Sequence, residues 1–340
     1  MEAWRERASD VIVSGSSDHI LDNGAQSRSA GNDPYVFTME VAESLKTTIS
    51  KVLLGSDHAV LAAILAMLSG SNLLIEDIPG VGKTLLAKAM ALSVQATHSR
   101  VQGHPDLLPS DITGVSVYVP DKGQWRIHHG PLFANIVLFD ELNRTPPRTQ
   151  AALLEAMAER HVTIDGQTVE LPSPHLIVAT QNPLSELGTF PLVESQLDRF
   201  GICTTIGYPD EATEIDVSQF RGGEGALSSI VPVCDTYGWQ FARDTVASVT
   251  VSDKVAEMAV RLIRKTRSHK SVVLGASPRA ALNLTRVAQA YAIVSGRTYV
   301  IPDDVKAVAH GVLHHRILAD GVAGMDVVTE CLATLEMPRP

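Results

Sequence analysis

An α/β domain with a mostly parallel sheet, followed by a small all-helical domain, is the fold class that the sequence predicts. Three observations predict it. From Phe37 to Tyr208, short apolar runs alternate with helical stretches, the rhythm of strand–helix–strand units. Past Gly207-Tyr-Pro-Asp210 helical periodicity takes over. The chain has 340 residues, 45% of them hydrophobic and 19% charged, which suits two globular domains.

Taken in order, residues 1–35 are rich in Ser, Gly, Asp and Asn and read as a flexible tail. They lack the apolar centre of a signal peptide. The longest apolar run, Ala59 to Leu68, is too short to span a bilayer. The α/β domain is expected over 36–209. NLLIED (72–77) reads as a buried strand, with KTLLAKAMALSVQ (83–95) as the helix after it. NIVLFDE (135–141) and HLIVATQN (175–182) read as two further buried strands. Each turns polar at its carboxyl end, where ligands sit in such sheets. SVYVPDKGQWRIHH (116–129) and HVTIDGQTVEL (161–171) alternate around Asp121-Lys-Gly123 and Asp165-Gly166 and read as hairpins. The helical domain is expected over 210–340. Its periodic stretches are 253–267, 277–296 and 302–317, with Asp253, Ser277 and Pro302 as starts and Gly296 as a stop.

The stretch Glu76-Asp-Ile-Pro-Gly-Val-Gly-Lys-Thr84 carries the chemistry. It is a phosphate-binding loop in which Asp77 stands where the first glycine is expected. Pro79, Gly80, Val81, Gly82, Lys83, Thr84 and Leu85 are the predicted nucleotide-binding residues. Gly80 and Gly82 let backbone N–H groups curl round phosphate oxygens, and the helix amino end adds its positive dipole. Lys83 reaches the β- and γ-phosphates of ATP, and the Thr84 hydroxyl can ligate Mg²⁺. The replaced glycine starts the turn without touching phosphate, and Pro79 stiffens the loop.

In NIVLFDELNR, four apolar residues end in Asp140-Glu141. Two carboxylates closing a buried strand are costly unless a cation is near. Asp140 is placed in the Mg²⁺ shell, and Glu141 as the base that orients and deprotonates the attacking water. Asn182, ending IVATQN, is a neutral amide that can position that water or sense the γ-phosphate. On its own it reads as an Asn-Pro turn.

These stretches, together with DLLPSDITG, GPLFANIVLFDELNRTPPRTQAALLEAMAERHVTIDG, GTFPLVESQLDRF, GASPRA and GRTYVIPDDV, resemble the MoxR family of AAA+ ATPases in content, order and spacing. The resemblance implies a ring-forming ATPase, a hexamer, that remodels or matures a partner protein complex in a chaperone-like way. It implies sensor 1 at Asn182, sensor 2 at Arg279 and an arginine finger at Arg199. The hairpins resemble the helix-2 insert and the pre-sensor hairpin of that clade. They fit either a pore or client surface, or plain subunit packing. Trp125 is correspondingly a partner anchor or a half-buried sheet residue. Family members work with von Willebrand A-type proteins. The metal motif of that fold is absent from this sequence, so such a partner would be a separate chain.

The net charge of -10 speaks against a nucleic-acid motor of helicase or loader type. The intact Glu141 speaks against a switch that binds nucleotide without turnover. Cys203, Cys234 and Cys331 are too widely spaced for a zinc or disulfide pattern and suit a reducing, cytoplasmic interior. His128-His129 and His314-His315 are not spaced as metal ligands and read as surface residues. The cations of RLIRKTRSHK (261–270) read as a solvated face.

Overall fold

The computed structural model describes residues 33–182, 188–219 and 222–336. Nearly all of the expected tail lies outside them. Its last residues are not tail, because Pro34 and Tyr35 open the first helix.

The first half comprises α1 (Pro34–Ser50), α2 (Asp57–Ser69), β1 (Leu73–Glu76), α3 (Lys83–Ser93), β2 (His98–Gln102), α4 (Pro109–Thr113), β3 (Gly114–Val119), β4 (Gln124–His129) and β5 (Ile136–Asp140). Then come α5 (Pro147–Glu159), β6 (His161–Ile164), β7 (Gln167–Glu170), β8 (Leu176–Gln181), α6 (Glu194–Leu197) and β9 (Ile202–Thr204). The second half adds α7 (Glu211–Ser218), α8 (Glu224–Leu227), α9 (Thr236–Ala247), α10 (Asp253–Ser268), β10 (Val272–Leu274), α11 (Pro278–Val294), α12 (Pro302–Leu313), β11 (Leu318–Ala319) and α13 (Gly324–Ala333).

Five parallel strands form the central sheet in the order β2-β5-β8-β1-β9. The three sequence-predicted strands are its middle: β8 lies between β1 and β5. Their continuous apolar runs follow from burial on both faces. Alternate side chains go to opposite faces, so Leu73, Ile75, Ile136, Leu138, Leu176 and Val178 enter one core. Leu74, Val137, Phe139, Ile177 and Ala179 enter the other.

The first of these cores runs on into α9–α13, so the helical part shares apolar packing with the sheet. Trp239 of α9 is buried there, and its indole N–H donates to Met67 O of α2 at 2.9 Å. Ser252 and Ser277 cap α10 and α11 with their hydroxyls, Pro302 is the first residue of α12, and Gly296 follows α11 with φ +74°. Both predicted hairpins form, as β3–β4 and β6–β7. Among the described residues no helix is long and apolar enough to cross a membrane.

Candidate functional site

β1 delivers the loop. Gly80 and Gly82 sit at φ +88° and +104°, where side chains are strained, and an added Cβ on Gly82 would meet Leu53 Cδ1 at 2.9 Å. Gly80 faces open space. Gly82 caps α3, whose first N–H groups have no partner within the helix. This is a cradle that fits phosphate oxygens.

Asp77 has a structural task. Its Oδ2 accepts from Ile206 N and Gly207 N at 2.6 and 2.7 Å, and its Oδ1 from Ile78 N at 2.8 Å. Its carboxylate therefore ties the base of the loop to the chain leaving β9. Charge-assisted hydrogen bonds of this kind are the strong ones. The missing glycine is replaced by an anchor, and the phosphate-facing half of the loop is untouched.

Lys83 is buried, and its Nζ donates to Asp77 O at 2.8 Å and Ile78 O at 2.9 Å. Burial lowers its pKa, and the carboxylates of Asp140, Asp77 and Glu141 oppose that shift. Thr84 follows on α3 and lines a small cleft with Lys88, His98 and Arg100.

β5 delivers the carboxylates. Asp140 Oδ1 accepts from the Thr180 hydroxyl at 2.6 Å, and Oδ2 from Arg100 at 2.8 Å. Thr180 in turn accepts the Glu141 N–H at 2.9 Å, which ties the acidic pair to β8. Glu141 has a left-handed backbone, φ +57°, a costly conformation for this residue type. Its Oε2 accepts from Gln102 and Arg144, both at 3.1 Å. Thr180, Arg100, Gln102 and Arg144 were missed by sequence reasoning. Arg100 and Gln102 lie on the edge strand β2, whose exposed, polar sequence hides a strand. Asn182 follows β8 directly, between the loop strand and the carboxylate strand, and its backbone O accepts from Asn143 Nδ2 at 3.2 Å. The donor set fits Mg²⁺: Thr84 hydroxyl and Asp140 carboxylate are hard oxygen ligands.

Arg199 and Arg279 are not brought to this place. They line one cavity with Arg160 and Arg286. Its wall includes Gly70, Ser71 and Asn72, which precede β1, and Gly201, which precedes β9. The cavity therefore lies at the amino ends of the strands, and the loop at the carboxyl ends. Arg199 is oriented by a 2.9 Å hydrogen bond to Leu154 O, and Arg160 by bonds to His175 O at 2.6 Å and Gly70 O at 3.2 Å. Arg279, expected with the nucleotide-binding residues, stands apart from its own chain's loop.

The family model described as "ATPase family associated with various cellular activities (AAA)" matches residues 72–202, and an AAA lid domain model matches 264–331. The chain is 41% identical to the YeaC protein of Bacillus subtilis over 85% of this chain and 92% of that one. It is 36% identical to Chaperone MoxR1 of Mycobacterium tuberculosis over 86% of this chain and 81% of that one. The chain belongs to the MoxR family of AAA+ ATPases. In three dimensions it matches the crystal structure of a candidate ATPase from Cytophaga hutchinsonii with a TM-score of 0.83 and 31% identity, covering 90% of this chain and 97% of that one. The α/β AAA+ fold with a helical lid is therefore shown by sequence and by structure.

Two positions outside the loop differ from what the sequence alone leaves open or predicts. Trp125, on β4, is 70% exposed and packs its ring on Tyr118 of β3 with centroids 5.4 Å apart. It is not a half-buried sheet residue. The expectation for His314-His315 also needs correction. His315 is buried, with Nε2 3.0 Å from Phe200 O, and burial with the Arg316 cation holds its pKa well below the usual value. Packing of the segment after α12 against β9 takes these histidines off the surface, a long-range contact that sequence spacing does not report.

Proposed function

We propose that the chain hydrolyses ATP with Mg²⁺ as a subunit of a ring, probed most simply as a hexamer, and uses the cycle to remodel or mature a partner protein complex in the cytoplasm. The observation that carries the reading is the separation of Lys83, Asp140 and Glu141 from Arg199 and Arg279. β1 has four residues. At roughly 3.3 Å per residue, the two groups stand about 13 Å apart along the sheet. A phosphate in the loop is out of reach of its own chain's Arg199 and Arg279, and a neighbouring subunit's cavity supplies them. Arg279 thus acts in trans, together with Arg199. The division into a nucleotide domain (36–209) and a lid (210–340) belongs to the same reading.

In the pocket, the loop amides and Lys83 bind and orient the triphosphate. To do so Nζ exchanges its bonds to the Asp77 and Ile78 carbonyls. Thr84 and Asp140 would hold Mg²⁺, which neutralises charge developing on the phosphoryl oxygens. Glu141 takes the proton of the attacking water, held in place by Gln102 and Arg144 until then. Asn182 positions that water from the next strand. The neighbour's Arg199 stabilises the transferring group with its planar guanidinium.

The test is subunit mixing. A Lys83→Ala subunit has a dead loop and an intact arginine cavity; an Arg199→Ala subunit has the reverse. Mixed rings should regain ATPase activity that neither variant has alone. Co-assembly without recovery would place Arg199 in its own subunit's chemistry or outside it.

The client surface in this reading is the β3–β4 hairpin around exposed Trp125 and Arg126, residue types that carry much of the energy at interfaces. The partner is a separate protein, of the von Willebrand A type in the family pattern. Replacing both residues by Ala should leave ATPase and ring assembly intact and weaken client pull-down by about 2 kcal/mol, a hot-spot magnitude. Loss of the ring itself would assign the hairpin to subunit packing.

A further inference from the structure

Cys203, His314 and His315 each present a ligand atom within 4.8 Å of the other two. They come from distant parts of the chain: Cys203 from β9, the histidines from the turn after α12. Their hydrogen bonds matter more than their proximity. His315 Nε2 lies 3.0 Å from Phe200 O, and His314 Nδ1 lies 2.7 Å from His310 O. A carbonyl has no proton to give, so in each case the ring nitrogen is the N–H donor. In the neutral rings this leaves lone pairs on His315 Nδ1 and His314 Nε2. His315 Nδ1 is buried and has no hydrogen-bond partner. An orphaned buried nitrogen of this kind calls for an explanation.

Metal-ligating histidines show this arrangement: one ring nitrogen on the ion, the other donating to a backbone carbonyl that fixes the tautomer. A thiol and two imidazoles are the donor set of zinc rather than of a hard cation such as Mg²⁺. Tetrahedral zinc, with bonds of roughly 2.0–2.3 Å, needs ligand atoms about 3.5 Å apart, so these side chains close by about an ångström at most. A carboxylate stands at the edge: Glu76 Oε2 is 4.0 Å from His314 Nε2. The nearby Arg316 cation is paired with Asp198 at 3.2 Å.

We propose that Cys203, His314 and His315, with Glu76 as fourth ligand, form a structural zinc site that fastens the helical lid to the sheet. Binding replaces the Cys203 S–H bond by a zinc–thiolate bond and sends one proton to solvent; the imidazoles give up none. Glu76 is the last residue of β1 and adjoins Asp77, so the site clasps the lid to the base of the phosphate-binding loop.

The test uses the full chain, reduced with a non-chelating reductant and free of nucleotide, and Zn²⁺ or Co²⁺ alone. We expect one equivalent of Zn²⁺ to bind in competition with a chromophoric chelator, with about one proton released. Co²⁺ should give a thiolate charge-transfer band, and excess Mg²⁺ should not displace it. Cys203→Ser should abolish the band and weaken Zn²⁺ binding at least 100-fold, beyond the 10–100-fold typical of losing an outer-shell partner. His314→Gln, at a half-buried position that tolerates an amide, should keep the band and weaken binding at least 10-fold. If Cys203→Ser does not fold, the wild-type band and the His314→Gln affinity decide. No stoichiometric binding, a cobalt spectrum without the thiolate band, or equal affinity in the variants would overturn the site and leave Cys203 as a buried free thiol.

Discussion

At the carboxyl ends of the strands, one buried lysine stands among Asp77, Asp140 and Glu141. At the amino ends, Arg160, Arg199, Arg279 and Arg286 line a single cavity. Both regions are built on the same five strands, and the proposed function makes them complementary halves of a phosphoryl-transfer site. The carboxyl end offers a glycine cradle, a helix amino terminus and a base. The amino end offers planar cations that suit the charge of a transferring phosphoryl group. On that reading a single chain does not close the site. In the proposed ring, subunits stacked head to tail would bring one chain's amino end to the next chain's carboxyl end and close it. Such heterologous contacts generate rings when the rotation closes.

The largest effect should come from the arginine end. Arg199→Ala should leave ATP binding to the loop unchanged and lower turnover by roughly 10³-fold, the low end for an arginine finger. Equilibrium binding of a fluorescent ATP analogue and steady-state ATPase assays separate the two. A variant that loses binding and turnover together would move Arg199 into the loop's own site and erase the contrast between the ends.

The carboxyl end responds differently. Glu141→Gln should bind ATP as wild type does and lose roughly 10²-fold in turnover, since an amide cannot take the water's proton. The same two assays apply, and near-wild-type turnover would remove Glu141 as the base. Each variant should spare ATP binding while lowering turnover from opposite ends of the sheet.

How far the sequence revealed each end follows from how local the signals are. The loop, Asp140-Glu141 and Asn182 sit in contiguous apolar-to-polar runs that place them at strand ends without any tertiary information. β2 escaped notice because His98-Ser-Arg-Val-Gln102 has one buried residue and an edge position. With it went Arg100 and Gln102, which hold the carboxylates of Asp140 and Glu141 from some 40 residues away in the chain. Thr180 was in plain view inside a predicted strand, but its bonds to Asp140 and to the Glu141 N–H follow only from the β5–β8 pairing. The arginine cavity is assembled from four elements and left no trace as a cluster. Arg199 and Arg279 were found by family resemblance alone, and their distance from the loop could be seen only in three dimensions. The surface reading of His314-His315 failed for the same reason, since the contact that buries His315 joins it to Phe200 far back in the chain.

The smallest expected effect reads the amino end through its titration. His175, just ahead of β8, is 2% exposed; its Nε2 lies 3.0 Å from Leu132 O, and Arg160 donates to its carbonyl. Burial, aided by the Arg160 cation, lowers its pKa to about 4. The unfolded chain takes up this proton near the ordinary value of about 6.5, and the folded chain resists it until about 4. Stability from neutral His175 is therefore fully present above pH 6.5 and is lost as pH falls from there toward 4. Between pH 7.5 and 5.5 the loss should be about 1 kcal/mol. Urea unfolding at several pH values measures it, and His175→Gln, which keeps a donor for Leu132 O, should flatten the slope by that amount. An unchanged pH dependence in His175→Gln would mean that burial beside Arg160 does not hold His175 neutral in the folded chain.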